Sequence, residues 1–142
     1  MRKLEDLTSD PRVTVRRPGA PAHEGCVVYW MQRAQRALDN PALDVAVEAA
    51  NILHQPVVIF FAPVPFYPHA NLRHYAFLAQ GIPDTAERAR KRGIGYVLRR
   101  WPEHSLVNFC DEVNASLVVG DENPLREPDH WRELAEKKLK LP

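Results

Sequence analysis

A chain of 142 residues is long enough for one domain with a buried core and too short for two large ones. Lys and Arg number 19 against 18 Asp and Glu, so a net charge of +1 offers no general attraction to nucleic acid. The two cysteines, Cys26 and Cys110, stand in no CxxC spacing, which excludes a disulfide scaffold and a cysteine-rich zinc site and reads as buried, reduced thiols in the cytoplasm.

The first residues, with Arg2, Lys3, Glu5 and Asp6, lead into no apolar run, so no signal peptide is expected. Residues 1–25 show no period and carry Pro11, Pro18, Gly19, Pro21 and Gly25; they read as an N-terminal arm. Residues 26–142 then form one α/β domain. Cys26-Val27-Val28-Tyr29-Trp30 is a buried strand, rich in β-branched and aromatic residues and preceded by breakers. Asn40-Pro41 starts a helix, because Asn caps free N–H groups and Pro lacks one. Leu43, Ala46, Val47, Ala50 and Leu53 continue it at helical spacing until His54-Gln55-Pro56. Val57 to Phe61 is a continuous apolar run, the mark of a parallel strand covered on both faces. The apolar stretch around it, Pro56 to Pro65, is about half of the roughly 20 residues a bilayer span requires.

A proline-rich loop with Pro63, Pro65 and Pro68 follows. Asn71 to Gln80 is predicted helical, with Leu72, Tyr75, Ala76 and Ala79 on one side. Gly81-Ile82-Pro83 is expected to interrupt it, and Asp84-Thr85-Ala86-Glu87 to cap a second helix ending before Gly93. Tyr96 to Arg99 is a third strand, Pro102 to about Val113 a helix, Ser116 to Gly120 a fourth strand, and a last helix starts at Pro128. The βαβαβαβα order implies a Rossmann-like three-layer sandwich: an open parallel sheet of four to five strands, in the order 3-2-1-4, with helices on both faces. Ligands of such sheets bind at the carboxyl ends of the strands where the order reverses, here between the first and fourth strands.

Two segments meet there. Trp30-Met31-Gln32-Arg33-Ala34-Gln35-Arg36 offers a flat, polarizable surface in Trp30 and Met31 and planar donors in Arg33 and Arg36, suited to a conjugated ring. The plainer alternative is a core pair with two solvated arginines. Asp121-Glu122-Asn123-Pro124-Leu125-Arg126 supplies an acceptor in Asp121 and a partner for it in Arg126; the plainer alternative is an internal ion pair that shapes the loop. Asn71 to Tyr75 begins a helix whose N-terminus attracts anions and would offer them Arg73, His74 and Tyr75; the plainer alternative has Leu72 and Tyr75 packing and Arg73 paired with an acidic residue. The six histidines show no HExxH spacing, and neither GxSxG, GxGxxG nor GxxxxGK[ST] occurs, so metal, serine-nucleophile and common nucleotide chemistry have no support. Arg88, Arg90, Lys91, Arg92, Arg99 and Arg100 form a basic zone best read as a solvated face.

Val28-Tyr29-Trp30-Met31-Gln32-Arg33-Ala34-Gln35-Arg36, Asp39 to Leu43, Asn71-Leu72-Arg73-His74-Tyr75-Ala76-Phe77 and Val118 to Arg126 with Trp131-Arg132 resemble the N-terminal α/β domain of class II DNA photolyases. Such enzymes use light to repair cyclobutane pyrimidine dimers. The resemblance implies an antenna module that holds a second chromophore, typically a deazaflavin, in front of a C-terminal helical domain. That helical domain binds the flavin adenine dinucleotide and the flipped dimer, and it is absent here, so the chain alone is not expected to repair DNA. The crevice residues Trp30, Met31, Arg33, Arg36, Asp121, Asn123 and Arg126 are the candidate contacts for such a chromophore. Departures from the family pattern fall at Ala34, Glu122 and Asn123.

Three readings follow. In the first, the chain is an antenna module docking on a flavin domain in another chain through Phe66 and Tyr67, held in a stiff Pro63-Val64-Pro65-Phe66-Tyr67-Pro68 loop. In the second, it is a photolyase-derived binding protein for a nucleotide or other flat ligand. The third, a small-molecule enzyme, lacks a nucleophile, acid/base pair or metal set. No direct DNA contact and no membrane contact is expected. A fourth strand left at an open edge would invite a homodimer.

Overall fold

The computed structural model describes residues 3–142 of the chain. It contains α1 (Leu4–Thr8), β1 (Cys26–Trp30), α2 (Pro41–Leu53), β2 (Val57–Phe61), α3 (Leu72–Lys91), β3 (Gly95–Leu98), α4 (Leu106–Glu112), β4 (Ala115–Gly120) and α5 (Arg126–Lys138). The four strands form one parallel sheet in the order β3-β2-β1-β4. Val28 pairs with Val58 on one side and with Val118 on the other, so β1 is the central strand at which the order reverses.

Side chains of a strand alternate between faces, and this splits the core in two. Val27, Tyr29 and Ile59 point to one face, where they meet Leu43, Ala46 and Ala50 of α2 and Ala89 of α3. Val28 and Phe60 point to the other, against Leu106, Phe109 and Cys110 of α4, with Ala135 of α5 alongside. Phe60 and Phe109 stack with ring centroids 4.3 Å apart. Both faces of β1 and β2 are therefore covered, which is why their sequences are apolar without alternation.

Local signals place most boundaries. The Asn40 side chain accepts the Leu43 N–H, Pro41 occupies the first helical position, and His54 closes α2 in the left-handed conformation at φ 55°. Ser105 caps α4 by accepting the Asn108 N–H, so that helix begins at Leu106, four residues after Pro102, and not at it. The expected break at Gly81-Ile82-Pro83 does not occur: α3 runs through Pro83 without interruption. A mid-helix proline forfeits one backbone bond, and here Asp84 and Arg88 pair at 2.7 Å one turn on, while Thr85 and Ala89 anchor the segment in the interior. Thr85 donates to the carbonyl of Gln35 and caps nothing. The α5 helix begins at Arg126, two residues before the buried Pro128.

The described part of the arm, residues 3–25, lies on the body; residues 1 and 2 are outside the described residues. Gln55 donates to the carbonyl of Ala22, and Arg16 bonds Glu122 at 2.8 Å. The β4 edge meets the end of the chain, where the Val118 N–H donates to the carbonyl of Pro142 at 2.9 Å. No helix among the described residues is long and apolar enough to cross a membrane.

Cys26 and Cys110 are buried free thiols in the α4 face of the core. Burial pushes the Cys110 thiol up from 9.0 to about 12 and raises Cys26 in the same direction. Burial likewise lifts the Tyr96 phenol from 10.0 to about 12. These groups bind their protons more tightly when folded. Their contribution is complete below pH 9 and is lost as pH rises from about 9 to 12, so alkaline melts are expected to show falling stability across that window. A disulfide reagent at pH 8 is expected to modify the native thiols more slowly than the denaturant-exposed ones by about a hundredfold or more. Equal rates in the two states would contradict the burial.

Candidate functional site

The carboxyl ends of β1 and β4 are joined by one side chain. Asp121, the first residue after β4, points across to the loop after β1 and is 6% exposed. Its Oδ2 accepts three successive backbone N–H groups, from Gln32 at 3.0 Å, Arg33 at 2.7 Å and Ala34 at 3.0 Å. Its Oδ1 accepts the Tyr29 hydroxyl at 2.7 Å. Asn40 closes the network from below. Its amide nitrogen reaches the Tyr29 oxygen at 3.0 Å and the carbonyls of Ala34 and Arg36 at 3.0 and 2.9 Å. Burial, and then the neighbouring Asp121 charge, push the Tyr29 phenol up, so it stays protonated and donates. Bonds of this kind to a charged acceptor are worth about 1.5–3 kcal/mol each, which rigidifies loop 31–36.

Beside this loop opens a cleft of about 1300 Å³ at the carboxyl end of the sheet. Its base is Trp30, Met31 and Phe61. One wall is the overhanging first half of α3, whose His74, Leu78 and Ile82, with Arg73, Phe77 and Gly81 beside them, recur every four residues. The opposite wall is α5 with Pro128, Trp131 and Leu134. The proline-rich loop adds Phe66 and Tyr67. Phe66 packs edge-on against Trp101 at 5.0 Å and Trp131 at 6.4 Å, and Tyr67 against Trp131 at 5.8 Å. Tyr75 holds the loop by donating to the Val64 carbonyl at 2.8 Å. The Gln32 side-chain oxygen is buried in the cleft wall without a hydrogen-bond partner.

Over residues 27–141 the sequence matches the DNA photolyase family. The chain belongs to the DNA photolyase family. It is 38% identical over 117 residues to the deoxyribodipyrimidine photo-lyase of Methanothermobacter thermautotrophicus, covering 82% of this chain and 26% of that protein. It is 36% identical over 117 residues to the Oryza sativa deoxyribodipyrimidine photo-lyase, covering 81% and 23%. The Potorous tridactylus enzyme of the same name is 32% identical over 105 residues, covering 73% and 20%. The chain thus spans about a quarter of the length of these photolyases. The fold is also that of a universal stress protein from Archaeoglobus fulgidus, at a TM-score of 0.53 and 19% identity, covering 84% of this chain and 96% of that one. A second structure of that protein, in complex with dAMP, gives a TM-score of 0.52 at 19% identity, with 85% and 96% covered.

Of the residues singled out in this photolyase-family sequence, Trp30 and Arg33 line the cleft. Met31, beneath it, is 1% exposed and packs in the core as the plainer reading had it. Asn123 is buried at the cleft's edge with its oxygen accepting the Leu125 N–H. Arg36 does not line the cleft; its guanidinium donates to the Asp39 carbonyl at 2.7 Å and ties the loop to the start of α2. Asp121 does not face the cleft either, because the amides and Tyr29 take both its oxygens. Arg126 is not its partner and lies off the cleft, exposed at the start of α5. The internal role expected of Asp121 is present, with backbone amides in place of an arginine. Glu122 is neutralised away from the cleft by Arg16 at 2.8 Å and Arg132 at 3.3 Å.

Asn71 satisfies the Arg73 and His74 N–H groups itself, which removes the simplest anion site at the α3 start. Leu72, expected to pack, is 84% exposed, as is Phe77 at 80%, because this half of α3 projects past the sheet. The basic zone is largely paired: Arg88 with Asp84, Arg90 and Lys91 with Glu87, Arg92 with Asp44, and Arg99 with Glu112. Sequence reasoning missed Gln32 and the α3 stripe as cleft walls. The stripe was legible as 3.6-residue spacing, but the predicted face was Leu72, Tyr75, Ala76 and Ala79, and the expected break at Gly81-Ile82-Pro83 cut off its last turn. Among the described residues no group of three or more His, Cys, Asp or Glu is placed to hold a metal ion.

Proposed function

We propose that this chain is the antenna domain of a class II-type photolyase, binding a flat chromophore of the deazaflavin kind in the cleft at the β1–β4 crossover. The observation that carries the reading is the cleft itself: an aromatic base, largely apolar helical walls, and one buried unpartnered acceptor on Gln32. A planar ring fits that chemistry. Trp30 offers a polarizable face, Arg33 a planar donor at the mouth, and Gln32 an acceptor for a ring N–H. The carboxylate of Glu122, the charge least suited to an apolar ring, is bonded elsewhere.

When bound, the chromophore supplies absorption in the near-ultraviolet and blue and passes excitation energy on. The protein's part is to hold the ring, keep water from its faces and fix its orientation. The flavin-bearing helical domain and dimer repair belong outside these residues. Phe66 and Tyr67, 50% and 37% exposed at the rim, suit the face on which that domain docks. The cytoplasm suits the two free thiols.

Titration with a deazaflavin, followed by absorbance and fluorescence, tests this. Saturable binding is expected, weakened in Trp30→Ala by roughly 5- to 150-fold, the range for losing one stacking face. A chain that binds no deazaflavin, or binds it equally well in Trp30→Ala, would refute the reading.

A further inference from the structure

The loop after β1 presents three successive amides to a single point, and turns of this kind are general anion receptors. In open parallel sheets the same place, at the carboxyl end of the strand beside the crossover, commonly takes a ligand phosphate. Here the Asp121 carboxylate sits at that point, with the amides of Gln32, Arg33 and Ala34 all within 3.0 Å of one oxygen. It comes from the neighbouring strand, 87 to 89 residues away in the chain, and is held from behind by Tyr29. The nest is therefore formed and full.

We propose that Asp121 is a built-in anion that fills this nest and so denies the loop beside the cleft to a ligand phosphate. The cleft's use as a ligand site rests on the function proposed above, whereas the filling of the nest does not. A ligand entering beside Trp30 finds carbon faces, the Gln32 acceptor and Arg33, but no free amide cluster for a phosphate. A nucleotide would have to displace a carboxylate that is covalently part of the chain and already carries four hydrogen bonds. Asp121 thus acts by occupying the place of a charge, without touching the ring.

Formate carries the same carboxylate as a free ion and is the probe. In the full chain with Asp121→Ala, formate is expected to raise the melting temperature saturably, by about 3 °C or more at tenfold excess over its dissociation constant. Chloride at equal ionic strength should not do so, and the unaltered chain should answer to neither. If Asp121→Ala fails to fold in chloride, circular dichroism in formate replaces the melt; recovery of helical signal supports the proposal, and equal failure in both salts overturns it. An Asp121→Ala chain that answers to formate no more than the parent does also overturns it. In the parent, inorganic phosphate is expected to leave the Gln32, Arg33 and Ala34 amide resonances unmoved, whereas in Asp121→Ala it should shift them. Movement in the parent would show the nest open and refute the exclusion. None of these readouts involves a deazaflavin, so a chain that binds no chromophore leaves the nest result standing.

Discussion

Asn40→Ala is expected to lower unfolding free energy by about 3–4 kcal/mol, well beyond what a helix cap supplies. The cap is one part: the Asn40 oxygen accepts the Leu43 N–H at 3.1 Å. The larger part is the amide nitrogen, which reaches the Tyr29 oxygen and the carbonyls of Ala34 and Arg36. Asn40 is 0% exposed, so alanine would leave those acceptors without a donor and without water, at about 1–3 kcal/mol for the unsatisfied group. Loop 31–36 would loosen as well, and any ligand affinity of the cleft with it. Asn71 provides the comparison, because it caps α3 in the same way but is exposed. Asn71→Ala should cost about 1 kcal/mol. Chemical denaturation of both variants decides the matter; similar losses would mean that the buried network adds nothing.

Gly25→Ala is expected to destabilise by about 3 kcal/mol or more, from backbone geometry alone. Gly25 stands just before β1 at φ +133°, a region closed to residues with a Cβ. A Cβ built there would lie 2.2 Å from the carbonyl oxygen of Asn114. That oxygen belongs to the backbone entering β4, so no side-chain rotation relieves the clash. Relief requires β1 and β4 to part at their start, where the pairing already shifts register between Cys26 and Val27. Gly81→Ala makes the opposite case. No atom lies within 4 Å of its would-be Cβ, and the site is mid-helix in α3. Alanine there should stabilise by about 0.5–1 kcal/mol. Thermal melts of the two variants should move in opposite directions, and parallel shifts would refute the account.

The elements were legible where the signal is local. Asn40-Pro41 and Gly93 punctuate helices through their own backbone preferences, and the run Val57 to Phe61 marks a strand covered on both sides. The 3-2-1-4 order followed from alternation and handedness, which apply to any chain of this pattern. Pro83 misled because a proline's local penalty of about 3 kcal/mol is an argument about an isolated helix. The packing of Thr85 and Ala89 in the interior outweighs it.

The segments that form the candidate site were likewise readable, since the crossover point follows from strand order. Trp30 and Arg33 do reach the cleft, while Met31 went to the core and Asn123 to a buried turn at its edge. Arg36, Asp121 and Arg126 could not be assigned from their neighbours in sequence. A carboxylate and two guanidiniums near a crevice look alike whether they meet a ligand or the chain itself. The difference lies in partners that are remote in sequence: Asp121 meets Tyr29 across 92 residues and the Gln32 amide across 89.

Chain order, helix and strand periods and turn residues thus determined the α/β sandwich and where its crevice would lie, because each depends on interactions between near neighbours. Only the tertiary structure decided which polar groups face that crevice and which are consumed inside it. Hydrogen bonds between residues on separate strands form only when the sheet brings them within about 3 Å. A buried acceptor or donor then takes whichever partner the fold provides, since leaving it bare costs more than any local preference can offset.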